Sequence, residues 1–522
     1  MRNFRYSFVL LFGFSLCLFN LTMSGHLCSQ DEEVLFRSTA SYCNGQGGAI
    51  PPLSGTTIFG TVDRSWGTRR GKDTRQYPQY GIGQPLLATP LYLLAQRMIR
   101  SESTVPLGVF GFVYPPFQYH PNDPSEFSAR SVVVLFNQVI SALSVAILGL
   151  FCFRVFGSVK LGIVLGLLYA VGTITWVYSR TFFSEPLAGL CVLGSFCLVF
   201  RTVTLWDRGD RESRSRAVLL AALAGSCFGY GLLTRLDTLF FFPGIGTMIS
   251  WPSWSPLTDS DPRKNRGSDG LLVKWPVFLA FGAVTTAFVA VLAWLNYSRF
   301  GSFFATGYSD QPEGIKFLIP VEGLGGFLFT PGKSIFLYSP ILILGVAALP
   351  TFYREERRLA AGILLGAGAF LLFESSWQNW EGGWCWGPRH VIQLTPLLLL
   401  PAGAVLLPRV SERPGWVLPL LGICLLVAIP IQFLGFSVDF IEVLHRYALE
   451  RGGNLLPTIY SLSDSPPLLH LRYLFHYPHD LFWPRFAAGT RGILCVLPII
   501  PLGGLLLFSL LICSAVKREN SR

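Results

Sequence analysis

Residues 1–33, MRNFRYSFVLLFGFSLCLFNLTMSGHLCSQDEE, hold the stretch on which the fold turns. Ser7 to Met23 is almost wholly apolar, Arg2 and Arg5 precede it, and Asp31-Glu32-Glu33 follows it. A span whose positive flank stays in the cytoplasm delivers the residues after it to the outer side of the membrane. The chain therefore anchors itself once and at once presents carboxylates at the outer surface, where an enzyme acting on a membrane-bound substrate needs a base. A cleaved secretory signal is the other reading of such a start. It is disfavoured because a clean small-x-small site is lacking and many further spans follow.

Composition agrees. Of 522 residues, 51% are hydrophobic and 14% charged, where a soluble domain carries roughly a quarter charged residues. Apolar runs recur along the chain, each near the roughly 20 residues that cross a bilayer as a helix. An ordinary globular fold is excluded, and an all-α polytopic membrane protein is expected. The net charge of +11 does not signal nucleic-acid binding, because the basic residues gather in short loops between spans. Most of the 11 cysteines sit inside apolar spans as small hydrophobes. Cys28 and Cys43 share the first outer loop, and a disulfide between them is open to either outcome.

Twelve spans are read at 7–23, 131–153, 159–177, 185–203, 217–233, 237–250, 275–296, 335–352, 359–374, 391–408, 415–437 and 491–515. With the N-terminus inside, strict alternation puts Arg154/Lys160, Arg208 to Arg216, Arg263 to Lys274, Arg354 to Arg358, Arg409/Arg413 and the Lys517-Arg518 tail on one face, with both termini cytoplasmic. Three outer segments are long: 24–130, 297–334 and 438–490. Within the first, Pro85 to Met98 is too short to span and reads as an interfacial or re-entrant helix. Asn44 to Gln79, rich in Gly, Pro, Thr and Arg, reads as irregular loop, and 251–273 as a flexible inner linker. Residues 1–300 are expected to form the catalytic module and 301–522 a C-terminal transmembrane region. Neither an internal repeat nor an inverted symmetry of the transporter kind is visible.

The short outer connections depart from plain membrane filler. Arg180 lies in the turn before Glu185-Pro186, Arg235 stands beside Asp237, and Arg389 closes Trp386-Gly387-Pro388-Arg389. A charge at mid-membrane costs about 2.5–3.5 kcal/mol, so such placements ask for a partner. Arginines beside carboxylates suit a phosphate-bearing ligand, whose oxygens the planar fork holds in pairs. Plainer readings exist for each: Glu185 as a helix N-terminal charge, Arg180 and Arg235 as snorkelling interfacial residues, Asp31 to Glu33 as solvated loop charge. Their coincidence on one face weighs against all of these together. Thr330-Pro331-Gly332-Lys333-Ser334 imitates the end of a phosphate loop, but Gly326 is one residue too far upstream and no strand precedes it. His476 and His479 flank Pro478, which argues against one helix presenting both to a metal.

An acidic pair after the first helix, a surface helix behind it and a carboxylate after the third span resemble the GT-C superfamily of polytopic glycosyltransferases. That group includes the protein O-mannosyltransferases and the lipid A aminoarabinose transferases. Asp31-Glu32 matches its first-loop Asp-Glu, and Glu185-Pro186 stands where an Asp is usual. Tyr80-Gly81-Ile82-Gly83-Gln84-Pro85, Leu233-Thr234-Arg235, Arg299-Phe300-Gly301-Ser302, Leu328 to Gly332 and Trp386 to Arg389 resemble bacterial family-39-type membrane proteins. The resemblance implies transfer of a sugar from a polyprenyl-phosphate donor to a lipid, glycan or protein acceptor on the periplasmic side of a bacterial inner membrane. It implies Asp31 as general base with Glu32 second, and Glu185 positioning the acceptor or a divalent metal, whose use varies across the superfamily. Arg180, Arg235 and Arg389 would hold the donor phosphate. A transporter or flippase of a lipid-linked sugar and an inactive assembly subunit are the alternatives. A transporter should place its ionisable groups at the membrane midplane in broken helices.

Overall fold

The computed structural model describes residues 2–50, 56–57, 60–61, 67–100, 124–251, 274–308, 316–407, 413–476, 479–484, 497 and 499–520. The inner linker from residue 252 onward, the basic cluster 263–266, Arg409 and the first residues of the last expected span lie outside the described residues.

The principal helices are α1 (Arg2–Leu21), α2 (Gln30–Cys43), α3 (Gly83–Arg100), α4 (Pro124–Val133), α5 (Leu135–Phe156), α6 (Val159–Gly172), α7 (Glu185–Trp206), α8 (Arg211–Thr234), α9 (Phe242–Ser250), α10 (Trp275–Phe300), α11 (Val321–Phe329), α12 (Leu342–Glu355), α13 (Arg357–Ser376), α14 (Val417–Ser437), α15 (Phe440–Glu450), α16 (Pro466–Tyr473) and α17 (Ile499–Asn520). Two short antiparallel hairpins, Thr56–Thr57 with Gly60–Thr61 and Thr68–Arg70 with Gln76–Pro78, interrupt the first long loop. Among the described residues seven helices are long and apolar enough to cross a membrane, and four shorter apolar helices accompany them. A helix or helical turn occupies each expected span, but several, such as α6 and α12 with 14 residues each, are shorter than a full crossing.

The burial pattern is that of an integral membrane protein. The core runs through α5, α6, α7 and α13, with Phe151, Phe196, Phe241 and Phe370 wholly enclosed. Outward faces stay apolar: Trp294 on α10, Leu426 on α14 and Leu510 on α17 are more than 60% exposed. In water such faces would be an aggregation hazard; against lipid they cost nothing. Close backbone approach relies on glycine, as at Gly345, where a Cβ would stand 1.9 Å from the Leu398 carbonyl.

α7 orients the bundle. It starts at Glu185 and, about 33 Å along for 22 residues, ends at Asp207, which pairs with Arg358 at 2.8 Å and Lys274 at 3.7 Å. Lys274 and Arg358 thus lie at the end of α7 opposite Glu185, to which Arg389, the partner of Asp31, is joined.

α3 packs one side on α2, with Tyr92 edge-on to Phe36 at 5.8 Å. Leu86, Leu87, Leu93, Leu94 and Met98 face outward. It is not among the spanning candidates. Cys28 and Cys43 are both free thiols.

Candidate active site

The acidic triad is divided by the helix it opens. Ser29 caps α2 by accepting from the Glu32 N–H (3.4 Å), while its hydroxyl donates to Glu32 Oε1 (3.3 Å). Glu32 is fully buried and accepts the Phe182 N–H at 2.7 Å, tying α2 to the turn before α7. Glu33 points to the opposite wall, where Arg130 Nε and Nη2 grip it at 2.8 and 2.6 Å and Arg37 adds a third bond at 2.6 Å. Asp31 alone of the three remains partly accessible, its side chain 19% exposed.

Burial raises the Glu32 carboxyl to about 8, against the opposing backbone N–H bonds from Phe182 and Cys28. In Glu33 burial is outweighed by Arg130 and Arg37, and its carboxyl sits at about 2. The sign for Glu32 follows from linkage. The folded protein keeps a proton there that the unfolded chain, near 4.5, has released, so this stability is complete below pH 4.5 and is lost as pH rises through about 8. Glu32→Gln is therefore expected to flatten the fall in unfolding temperature between pH 5 and 9 and to exceed wild type at the alkaline end. Parallel slopes in thermal unfolding would show that Glu32 is already ionised.

Asp31 accepts from the Tyr80 hydroxyl (2.6 Å) through Oδ1 and from Arg389 Nη1 (3.0 Å) through Oδ2. Burial and the Asp31 charge push the Tyr80 hydroxyl well up, so it stays a neutral donor. Arg389 lies 4.4 Å above the Phe183 ring, and its Nε is 3.3 Å from Glu185 Oε1. Arg235 bonds the same Glu185 oxygen at 2.7 Å and clasps Asp237 Oδ2. Burial works against the charge of Arg235, but the Asp237 and Glu185 carboxylates more than offset it and hold its pKa above the ordinary value. Gln393 Nε2 donates to Asp237 Oδ1 (3.1 Å), and Glu374 stands 3.1 Å from His390 Nδ1. An aromatic series runs from Tyr80 over Tyr308 and Trp377 to His390, with neighbouring ring centroids 5.6–6.4 Å apart.

Local sequence explains why these groups meet. Gly81 and Gly83 let their strand of chain lie on the end of α8, since a Cβ on either would come within 2.3 Å of Thr234 atoms. Tyr80 thereby reaches Asp31. Gly387 adopts φ +58° with Tyr338 against it, and Trp386 is fully buried between Tyr338 and His470, so the following Arg389 is aimed with little freedom. Lys333 of the false phosphate loop spends its ammonium on the carbonyls of Gly383, Cys385 and Gly387, bracing that same turn. Arg299 packs over Tyr77 and donates to the Tyr42 hydroxyl, a structural post of the first loop.

Arg180 is not part of this group. Its guanidinium is buried against Asp480, with Nη2 2.5 Å from Oδ2, and donates to the Phe436 carbonyl. Conversely Glu374, His390, Gln393 and Tyr308 belong to the group without having been singled out. Glu374 had a signal: a carboxylate inside an apolar span is by default a functional candidate. Ser29 before Gln30 likewise spelled an N-cap. The group also draws on both expected modules, Asp31, Glu185 and Arg235 from the first and Glu374, Arg389 and Gln393 from the second.

A divalent metal does not fit this group as placed. Among the described residues its carboxylates do not bring three ligand atoms together, because Arg235 and Arg389 lie between them.

The chain matches no protein-family model and no curated protein. Among solved structures it is similar to the Archaeoglobus fulgidus oligosaccharyltransferase in complex with Zn and sulfate, with a TM-score of 0.49 and 12% identity over 88% of this chain and 58% of that one. The archaeal oligosaccharyltransferase AglB with an inhibitory peptide and a dolichol-phosphate gives 0.44 and 11%, covering 89% and 60%. ArnT from Cupriavidus metallidurans bound to undecaprenyl phosphate gives 0.45 and 12%, covering 89% and 76%. The chain spans less than two thirds of the archaeal chains, and likeness at these values does not establish a shared family.

Proposed function

We propose that this protein is a membrane glycosyltransferase that moves a sugar from a polyprenyl-phosphate donor to a hydroxyl acceptor at the outer, periplasmic face of a bacterial inner membrane. The observation that carries the reading is the pairing of one accessible carboxylate, Asp31, with two arginines whose charges converge on Glu185. Asp31 removes the acceptor proton as the new glycosidic bond forms. The bond from the sugar to phosphate oxygen breaks, and its electron pair stays on the phosphate. Arg389 and Arg235 stabilise that growing charge, an effect strongest in a dry, preorganised site. The aromatic series offers flat faces to a sugar ring. The sequence resemblance to the GT-C superfamily supports the same chemistry. In this reading Arg180 is a strut rather than a phosphate ligand, and Glu32 a clasp rather than a second base.

The test is transfer by purified protein in lipid, with labelled polyprenyl-phosphate sugars and envelope acceptors. Arg389→Gln is expected to weaken donor binding roughly 10- to 100-fold, as losing a charged hydrogen bond of about 1.5–3 kcal/mol implies. Tight donor binding by wild type with movement of the lipid across the bilayer and no transfer would instead establish a transporter.

A further inference from the structure

A second buried cluster lies apart from Asp31 and its arginines, where three segments distant in sequence meet. Residues 24–28 follow α1, 437–440 join α14 to α15, and 479–483 come from the third long loop. Backbone bonds fix their approach: the Asp480 N–H donates to the Ser437 carbonyl (2.8 Å) and the Phe482 N–H to the Met23 carbonyl (2.8 Å), while Trp483 Nε1 donates to the Asn20 carbonyl (2.9 Å). They bring together His26, Cys28, Asp439 and Asp480, none more than 6% exposed. Ligand atoms of His26, Cys28 and Asp439 all lie within 4.8 Å of one another, and His26 Nε2 is 2.7 Å from Asp480 Oδ1.

We propose that His26 Nε2, Cys28 Sγ and Asp439 Oδ2 hold a structural zinc ion, and that an Asp480 carboxylate oxygen, 2.7 Å from His26 Nε2 without metal, turns to complete a four-coordinate site. The donor set is one that zinc accepts, and bonds of about 2.0–2.3 Å at the tetrahedral angle put ligand atoms roughly 3.3–3.8 Å apart, so the three atoms within 4.8 Å of one another close by about 1.5 Å at most while the His26–Asp480 contact opens from 2.7 Å. Three details point the same way. His26 Nδ1 faces the Leu27 carbonyl at 3.0 Å, the outer contact that orients a metal-bound imidazole. Asp439 Oδ1 caps α15 through the Ile441 and Glu442 N–H groups, which leaves Oδ2 for a ligand. Arg180, salt-bridged to Asp480, supplies the remaining charge.

Charge and protons balance. Without metal, acceptors on both imidazole nitrogens require an imidazolium, and its charge with that of Arg180 cancels Asp439 and Asp480. With zinc, the imidazole is neutral and Cys28 a thiolate, so two positive charges on the ion and one on Arg180 cancel the thiolate and two carboxylates. Binding thus displaces two protons, one from His26 Nε2 and one from Cys28 Sγ. The ion would staple all three segments beside the turn that leads to Glu185.

Full-length protein in lipid, stripped with chelator, is titrated with zinc alone and separately with cobalt(II) alone. Wild type is expected to retain one equivalent of zinc, to release two protons per ion in weak buffer, and to show thiolate-to-cobalt charge-transfer absorption. Cys28→Ser should lose that absorption and bind zinc at least about 100-fold more weakly, more than the loss of an outer contact costs. Failure of folded wild type to retain zinc, a cobalt spectrum without the thiolate band, or unchanged retention by Cys28→Ser each overturns the site. Should Cys28→Ser not fold, the wild-type cobalt spectrum and proton count decide alone.

Discussion

Asp31→Asn is expected to lower sugar transfer by about 10²–10⁴-fold, the usual worth of a general base, while the protein inserts and unfolds close to the wild-type temperature. The asymmetry follows from exposure. Asp31 is partly accessible, its side chain 19% exposed, and Arg389 keeps Glu185 as a second carboxylate partner, so the lost pair is partly offset. Asn keeps an oxygen for the Tyr80 hydroxyl and loses the basicity together with the Arg389 ion pair. Donor binding should hold or improve, since Arg389 is freed of one carboxylate. Transfer by labelled polyprenyl-phosphate sugars, run beside donor binding, separates the two effects. Unchanged turnover in Asp31→Asn would remove it as the base, and Glu185 would be the next to test.

Arg130→Met should have the largest effect on stability. Arg130 is fully enclosed, holds Glu33 through two bonds and lies 4.4 Å over the Phe36 ring. Removing Arg130 leaves the buried Glu33 charge with Arg37 as its remaining partner among those described, at a cost of about 3 kcal/mol, the lower end for breaking a buried pair. The Glu33 shift from 4.5 to about 2, set by Arg130 and Arg37 together against burial, corresponds to roughly 3 kcal/mol, a contribution present above pH 4.5 and lost as pH falls toward 2. Arg130→Met with Glu33→Gln should recover most of the loss, since a neutral, well-packed replacement is nearly as stable as a buried pair. Thermal unfolding in lipid of both variants checks this. A double variant no better than the single would mean that the guanidinium matters for packing rather than charge. Because the pair pins α2 to the helix that continues into α5, the single variant should also lose transfer.

The run of apolar segments, the separation of basic from acidic loops and the residues Asp31, Glu185, Arg235 and Arg389 were readable in the chain itself. Hydropathy reports directly on the solvent each segment meets, and charge near a membrane is too costly to be casual. What one dimension cannot carry is the direction of each side chain. Asp31, Glu32 and Glu33 are adjacent letters, yet the helical turn of about 100° per residue sends them to a partly open site, the Phe182 N–H and a buried arginine respectively. Arg180, Arg235 and Arg389 read alike as outer-loop arginines, and only tertiary packing sends the first to Asp480 and the other two to Glu185. Glu374, at the far end of an apolar helix, joins the site through a contact with His390 that its own neighbours in sequence do not announce. The sequence by itself determined a helical membrane protein with acidic and arginine-bearing connections, because burial in lipid is a property of composition. Which of those charges face one another was decided by the tertiary structure, because a pair inside a low-dielectric bundle depends on distances that only the packing of distant helices sets.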